Sequence, residues 1–145
     1  MSAIYDSLEF ETPLLAKWAA FFDLAGWKWD KAPAAIGNWK PDFRVTFICN
    51  HSECGGSHTI LVSVLDVDRI ESVKGHPAMT QGFSTPGENG SFVADAGALF
   101  GSSPNVTYWE MAHGAGGGQE EVSRWVADAA QLWDQAKGLI ARENG

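Results

Sequence analysis

Between Lys40 and Leu65 the sequence runs KPDFRVTFICNHSECGGSHTILVSVL, and few folds accommodate it. Two segments rich in β-branched and aromatic residues, Asp42–Ile48 and Thr59–Leu65, read as strands. The loop between them holds both cysteines of the chain and two of its four histidines. A Pro-Asp-Phe triplet opens the first strand. The second alternates and stops at the acidic residues after Leu65, so the stretch reads as a hairpin.

The segments on either side supply helices and further strands. Residues Met1–Glu11 form a short extended lead-in. Thr12-Pro13 is a helix start, with Thr as N-cap and Pro at the first helical position. Leu14, Trp18, Phe21 and Phe22 then recur at helical spacing, Leu15 and Ala19 widen that face, and Gly26 stops it. Trp27–Asp30 reads as a brief strand and Lys31–Trp39 as a loop. Asp66–Lys74 is expected to be a helix ending near Gly75, with Pro77 blocking continuation. Thr80–Gly90 reads as an exposed loop, Ser91–Ala94 and Val106–Met111 as strands, and Gly97–Pro104 as turn residues between them.

A glycine-rich connector, Gly114–Gly118, precedes a long expected helix, Gln119–Arg142. Val122, Trp125, Val126, Ala129, Leu132, Trp133, Ala136 and Ile140 make its apolar face. At 145 residues, with no internal repeat, the chain is expected to form one domain over residues 1–145. The fold class is α/β or α+β: a small mixed sheet flanked by an N-terminal and a long C-terminal helix.

Charge narrows the function classes. A net charge of −8 is the wrong sign for coating a phosphate backbone, and it suits a protein partner with a basic surface. Nucleic acid and membrane are therefore not expected as partners. No apolar run approaches the ~20 residues of a membrane span, and the N-terminus lacks the pattern of a secretory signal. Two cysteines imply no disulfide framework, so a cytoplasmic setting is expected.

Within the hairpin loop, Cys49, His51, Cys54 and His58 are all zinc donors, and together they suggest a structural zinc clip. The plainer reading of the same residues is a polar loop with two reduced thiols, one of them partly buried. A Cys–His catalytic pair lacks an orienting third group. Gly114–Gly118 before a helix invites a phosphate-loop reading, but no Lys-Ser/Thr follows and Glu120 and Glu121 would repel phosphate. His76 and His113 have no identifiable partner in the sequence.

Three stretches carry a family resemblance. They are FETPLLAKWAAFFDLAGWKW at Phe10–Trp29, WKPDF at Trp39–Phe43 with the strand after it, and CNHSECGGSHTILVSVL. Together they resemble one branch of the PD-(D/E)xK nucleases, the restriction-endonuclease-like fold. The branch is the compact one of phage and mobile elements, related to transposon-end nucleases. In that family an Asp at a strand start and the Glu of Glu-x-Lys on the neighbouring strand hold a divalent metal, which activates water and stabilises charge on phosphate. The Lys two residues on shares the strand face of the Glu.

Carried over residue by residue, Asp42 matches the first Asp. Ser63 and Leu65 occupy the Glu and Lys slots, and Leu15 occupies the position of a helical Glu found in this branch. Asp42 with a Ser neighbour is a weak site for Mg²⁺, normally bound by one or two carboxylates plus substrate oxygens. The resemblance therefore implies the fold without the activity: a pseudo-nuclease that acts by protein binding. A phage or mobile-element setting would make it an inhibitor of a host defence nuclease complex, of the anti-CRISPR kind, in the host cytoplasm. The alternative is a divalent-metal-dependent DNA endonuclease with a rearranged site, drawing on Asp66, Asp68, Glu9 or Glu11. Glu71 and Lys74 have suitable chemistry but stand three apart.

Overall fold

The computed structural model describes residues 2–49, 56–80, 85–86, 92–113 and 116–145. A short antiparallel hairpin opens the chain, β1 (Ala3–Tyr5) and β2 (Leu8–Phe10). Its two-residue turn places Asp6 and Ser7 at φ 52° and 67°, the left-handed geometry that such turns require. Helix α1 (Pro13–Ala25) follows, with the Thr12 hydroxyl accepting the Leu15 N–H at 3.2 Å and Gly26 closing it at φ 78°.

The main sheet has six strands in the order β10-β9-β8-β5-β4-β3. Its strands are β3 (Lys28–Lys31), β4 (Phe43–Ile48), β5 (Ser57–Val64), β8 (Ala96–Phe100), β9 (Thr107–His113) and β10 (Gly116–Glu120). All neighbours are antiparallel except β5 and β8 at the centre, which run parallel. A two-stranded hairpin, β6 (Thr85–Pro86) with β7 (Phe92–Ala94), lies in the crossover between them. The hairpin expected around Lys40–Leu65 is thus observed as β4 and β5, and the sheet is mixed.

Helices α1 and α3 (Ala129–Asn144) pack against each other on one face of this sheet. Trp18, Phe21, Phe22, Trp133, Ala136 and Ile140 from the helices meet Phe43, Val45, Ile60, Val62, Phe100 and Trp109 from the strands. Aromatic rings dominate that core. Trp18 alone contacts Phe21, Phe22, Phe100 and Trp133 at centroid distances of 4.7–5.9 Å. A smaller core, Trp39, Leu61, Ala78 and Ala94, covers the opposite face.

Three expectations about local structure need correction. The helix expected over Gln119–Arg142 is three pieces: strand β10, a single turn α2 (Val122–Trp125), and α3. Pairing with β9 draws Gly116–Glu120 into the sheet, and an extended Val126 (φ −128°) separates the two helices. Of the connector expected at Gly114–Gly118, residues Gly116–Gly118 are accordingly strand, and 114–115 lie outside the described residues. The buried positions nonetheless follow the helical period, since Val122, Val126, Ala129, Trp133, Ala136 and Ile140 all face the core.

Second, Gly97–Pro104 is not a run of turns, because β8 occupies Ala96–Phe100. All five of its residues are buried, as befits a central parallel strand covered on both faces. Third, the helix expected at Asp66–Lys74 is a single 3-10 turn, Ile70–Val73. The backbone before it is taken by other partners: Val67 N–H donates to the Leu65 carbonyl, and Ser102 N–H donates to the Val67 carbonyl. Most of Thr80–Gly90 lies outside the described residues.

Candidate functional site

Asp42 sits one residue ahead of β4 and is fixed by three backbone ties. Its N–H donates to the Val62 carbonyl at 2.7 Å, and its carbonyl accepts the Ala32 N–H at 2.9 Å. Its carboxylate Oδ2 accepts the Val64 N–H at 2.7 Å. The side chain is therefore an integral part of the β4–β5 pairing, closing the ladder where Pro41 cannot donate.

Two concave regions meet at this carboxylate, and both are lined by Glu11 and Leu15. One, of about 350 Å³, runs toward Lys31 and Lys40. The other, of about 470 Å³, runs along the first turn of α1 toward Lys17, Val64, Asp66 and Ser102. Sequence positions 11, 15, 42 and 66 are thus gathered at one end of the sheet. Asp68, also on the acidic run, turns to Ser102, whose hydroxyl donates to its Oδ1 at 2.9 Å. The Glu9 carbonyl accepts from the Lys31 ammonium, which also lies 4.7 Å from the Phe10 ring centre.

Ser63 points elsewhere. It is 4% exposed, and its hydroxyl accepts the Trp39 indole N–H at 2.8 Å within the smaller core. Strand alternation puts Val64, not Ser63, on the α1 side of β5 beside Asp42. Leu65 follows the end of the strand, half-buried, its N–H donating to the Phe100 carbonyl.

Burial dominates the electrostatics of Asp42 and pushes its carboxyl above the ordinary range. The negative charge of Glu11 adds to that shift, while the Val64 N–H and His76 oppose it. His76 is displaced in the opposite sense, below its ordinary value: burial disfavours its charge and Asp42 partly compensates. The His76 Nδ1 accepts the Ala78 N–H at 3.1 Å, so in the neutral ring the proton is on Nε2.

The raised carboxyl gives a signed pH prediction. A carboxyl whose folded-state pKa exceeds the unfolded value favours folding below the unfolded pKa, and loses that contribution as pH rises through the folded pKa. At neutral pH the ionised Asp42 is therefore a burden that Asn would remove while keeping an acceptor for Val64. Asp42→Asn is expected to melt at or above the wild-type temperature near pH 7, with the gap closing toward pH 4. Asp42→Ala leaves the Val64 N–H without its acceptor and is expected to lose about 1–3 kcal/mol. Melting curves of both variants across pH check this. An Asn variant less stable than wild type at neutral pH contradicts the assignment.

Of the four zinc donors, His51 and Cys54 lie outside the described residues. Cys49 and His58 are both buried at the loop end of the β4–β5 hairpin, where the Cys49 N–H donates to the Gly56 carbonyl. His58 packs against Phe47 and Trp125, and its Nδ1 lies 3.2 Å from Asp95 Oδ2, which also accepts the Thr59 N–H. Asp95, just ahead of β8, was not legible as a partner because parallel pairing of β5 with β8 brings it there. Trp39 was missed for a similar reason: its place in the loop gives no hint of the Ser63 contact.

Among the described residues no three His, Cys, Asp or Glu side chains converge on one metal position. Among them, too, no helix is long and apolar enough to cross a membrane. Glu71 lies within an exposed 3-10 turn and Lys74 just after it, and neither lines the two cavities at Asp42. Comparison with protein-family models, curated proteins and solved structures finds no match to this chain.

Proposed function

We propose that this chain is a pseudo-nuclease of the PD-(D/E)xK type that acts by binding a protein partner with a basic surface. The observation that carries the reading is the hydrogen bond between Trp39 and Ser63. Ser63, which the resemblance aligns with the metal-binding carboxylate, is a small hydroxyl buried as the polar anchor of the second core, on the face of the sheet away from Asp42. A Glu there would have to bury its charge against Trp39 and Leu61, which is strongly unfavourable without a counter-charge. Asp42 supports the same reading, since its carboxylate serves a backbone N–H of the neighbouring strand. An inhibitor of a host defence nuclease complex, of the anti-CRISPR kind, is the role that combines this scaffold with a charge of −8. Its acidic surface would compete with nucleic acid for a basic channel.

The test is incubation of the purified protein with plasmid in Mg²⁺ or Mn²⁺, beside Asp42→Ala. No cleavage above buffer is expected from either. Cleavage by the wild type that disappears in Asp42→Ala would falsify the pseudo-nuclease reading. The alternative, a rearranged metal-dependent endonuclease, draws on the shared cavity of Asp42, Glu11 and Asp66. It requires activity that also falls in Glu11→Ala or Asp66→Ala.

A structural zinc at the loop end of the hairpin is proposed separately, with Cys49 just after β4, His58 on β5, and His51 and Cys54 from the loop as ligands. The Asp95–His58 contact supports it, because a zinc-binding imidazole characteristically has its second nitrogen tied to a carboxylate or carbonyl. Elemental analysis of protein purified without added metal is expected to give near-stoichiometric zinc. Less than about 0.2 zinc per chain ends the idea.

A further inference from the structure

Strand β10 forms one end of the main sheet, and among the described residues no strand pairs with its outer edge. Its sequence is GGGQE, three glycines with no side chain to pack and little intrinsic preference for a strand. Glycine inside a strand marks a bulge, a tight bend, or a place where a ligand or another backbone comes close. Gly118, at φ 137°, holds a backbone conformation that favours glycine, while Gly116 and Gly117 pair with β9 without a register break and carry no Cβ to crowd the outer edge.

The orientation of the edge groups follows from one contact. The Arg124 guanidinium donates to the Gln119 carbonyl at 3.0 Å, so that carbonyl points away from β9. In an antiparallel ladder each residue directs both backbone groups to its partner or neither. Gln119 opposite Glu110 is therefore an unbonded pair, and Gly117 opposite Ala112, two residues away, is another. The outward-facing groups are the N–H and carbonyl of Gly117 and the N–H of Gln119. The opposite sheet edge, β3, carries Lys28, Asp30 and Lys31, charges of the kind that discourage strand addition.

Beside this edge is a cavity of about 380 Å³ lined by Tyr108, Gln119, Glu120, Glu121 and Arg124. Glu120 is held there by the Trp125 indole N–H at 3.2 Å and faces Arg124 at 3.8 Å. Glu121 is exposed, and Glu110 of β9 accepts the Tyr108 hydroxyl. Glu120 and Glu121 line the cavity against Arg124 alone, and with Glu110 on the adjoining strand the surroundings carry a net negative charge.

We propose that the outer edge of β10 takes up an extended, basic segment of the protein partner as a seventh strand. Main-chain bonds to Gly117 and Gln119 would supply affinity, and the carboxylate rim would select lysine or arginine at alternate positions. The inference rests on the binding role proposed above, and names the surface that performs it.

The probe is a labelled, end-blocked decapeptide alternating arginine and threonine, with a glutamate–threonine peptide as control. Binding to the full chain is read by anisotropy, and amide exchange is read by NMR. The basic peptide is expected to bind, the acidic one not, with Gly117 and Gln119 amides gaining protection. Gly117→Pro removes an outward N–H while leaving the β9 bonds, and is expected to weaken binding about tenfold. The same peptide methylated on alternate amides tests the idea on the unaltered protein and is also expected to lose about tenfold. Equal binding of the methylated peptide, or protection confined to residues outside β10, overturns the proposal. So does the absence of binding by the basic peptide. Nuclease activity would remove the pseudo-nuclease reading while leaving the peptide result standing.

Discussion

Trp18→Ala is expected to leave much of the chain unfolded at room temperature. The Trp18 ring is fully buried among Phe21, Phe22, Phe100 and Trp133, and its indole N–H donates to the Gly101 carbonyl at 3.0 Å. Truncating a buried tryptophan costs about 3–5 kcal/mol through lost transfer and residual cavity. The stranded Gly101 carbonyl adds about 1–3 kcal/mol. Together these match or exceed the lower part of the about 5–15 kcal/mol by which a domain is stable. Urea melts followed by circular dichroism give the number, and a loss under about 2 kcal/mol would mean the pocket collapses around the missing ring. Trp18→Phe isolates the hydrogen bond, because the aromatic packing largely survives.

Gly101→Ala attacks the other end of the same contact. A Cβ there would stand 2.5 Å from Val106 Cγ1 and 2.7 Å from the Val67 backbone oxygen. Backbone cannot yield as a flexible side chain does, and the Gly101 N–H is itself bonded to the Val106 carbonyl. The expected loss is about 3 kcal/mol, the upper part of the range for overpacking. Since Trp18 and Gly101 share one hydrogen bond, the double variant should fall short of the sum of the singles. Strict additivity in a double-mutant cycle would show that the clash and the hydrogen bond act independently.

The features legible in the sequence were those governed by local rules. Thr12, Pro13 and Gly26 bounded α1 because capping and left-handed closure depend on neighbours in the chain. Alternation and β-branching found β4 and β5. What escaped depends on distant partners. β8 reads AGALF, an unbroken apolar run, and its glycine suggested a turn; the run itself was the available signal of a strand buried on both faces. β10 escaped because only β9 makes a strand of three glycines. The apolar positions beyond it kept helical spacing through the break at Val126, so periodicity reported which side faces the core without reporting where the helix begins.

The candidate site divides the same way. The resemblance led to Asp42 and Leu15, and the fold brings both to the same two cavities. It could not reveal that Ser63 faces the second core, because that depends on Trp39 reaching over the sheet from the loop before β4. Nor could spacing show that Glu11 approaches Asp42 closely enough to hinder its ionisation.

The parallel pairing of β5 with β8 has a consequence for how the chain is assembled. Ile60 must find Ala96, whereas β3, β4 and β5 meet their partners through nearer connections. Closing the long crossover comes at an entropic disadvantage that local hairpins do not face. Until residues 96–100 arrive, one side of β5 is an open edge beside the apolar faces of Ile60 and Val62. Nascent or refolding chains are therefore most prone to associate through β5, and refolding yield should fall with rising protein concentration. The strand at the centre of the finished sheet is the one left open longest while it is being made.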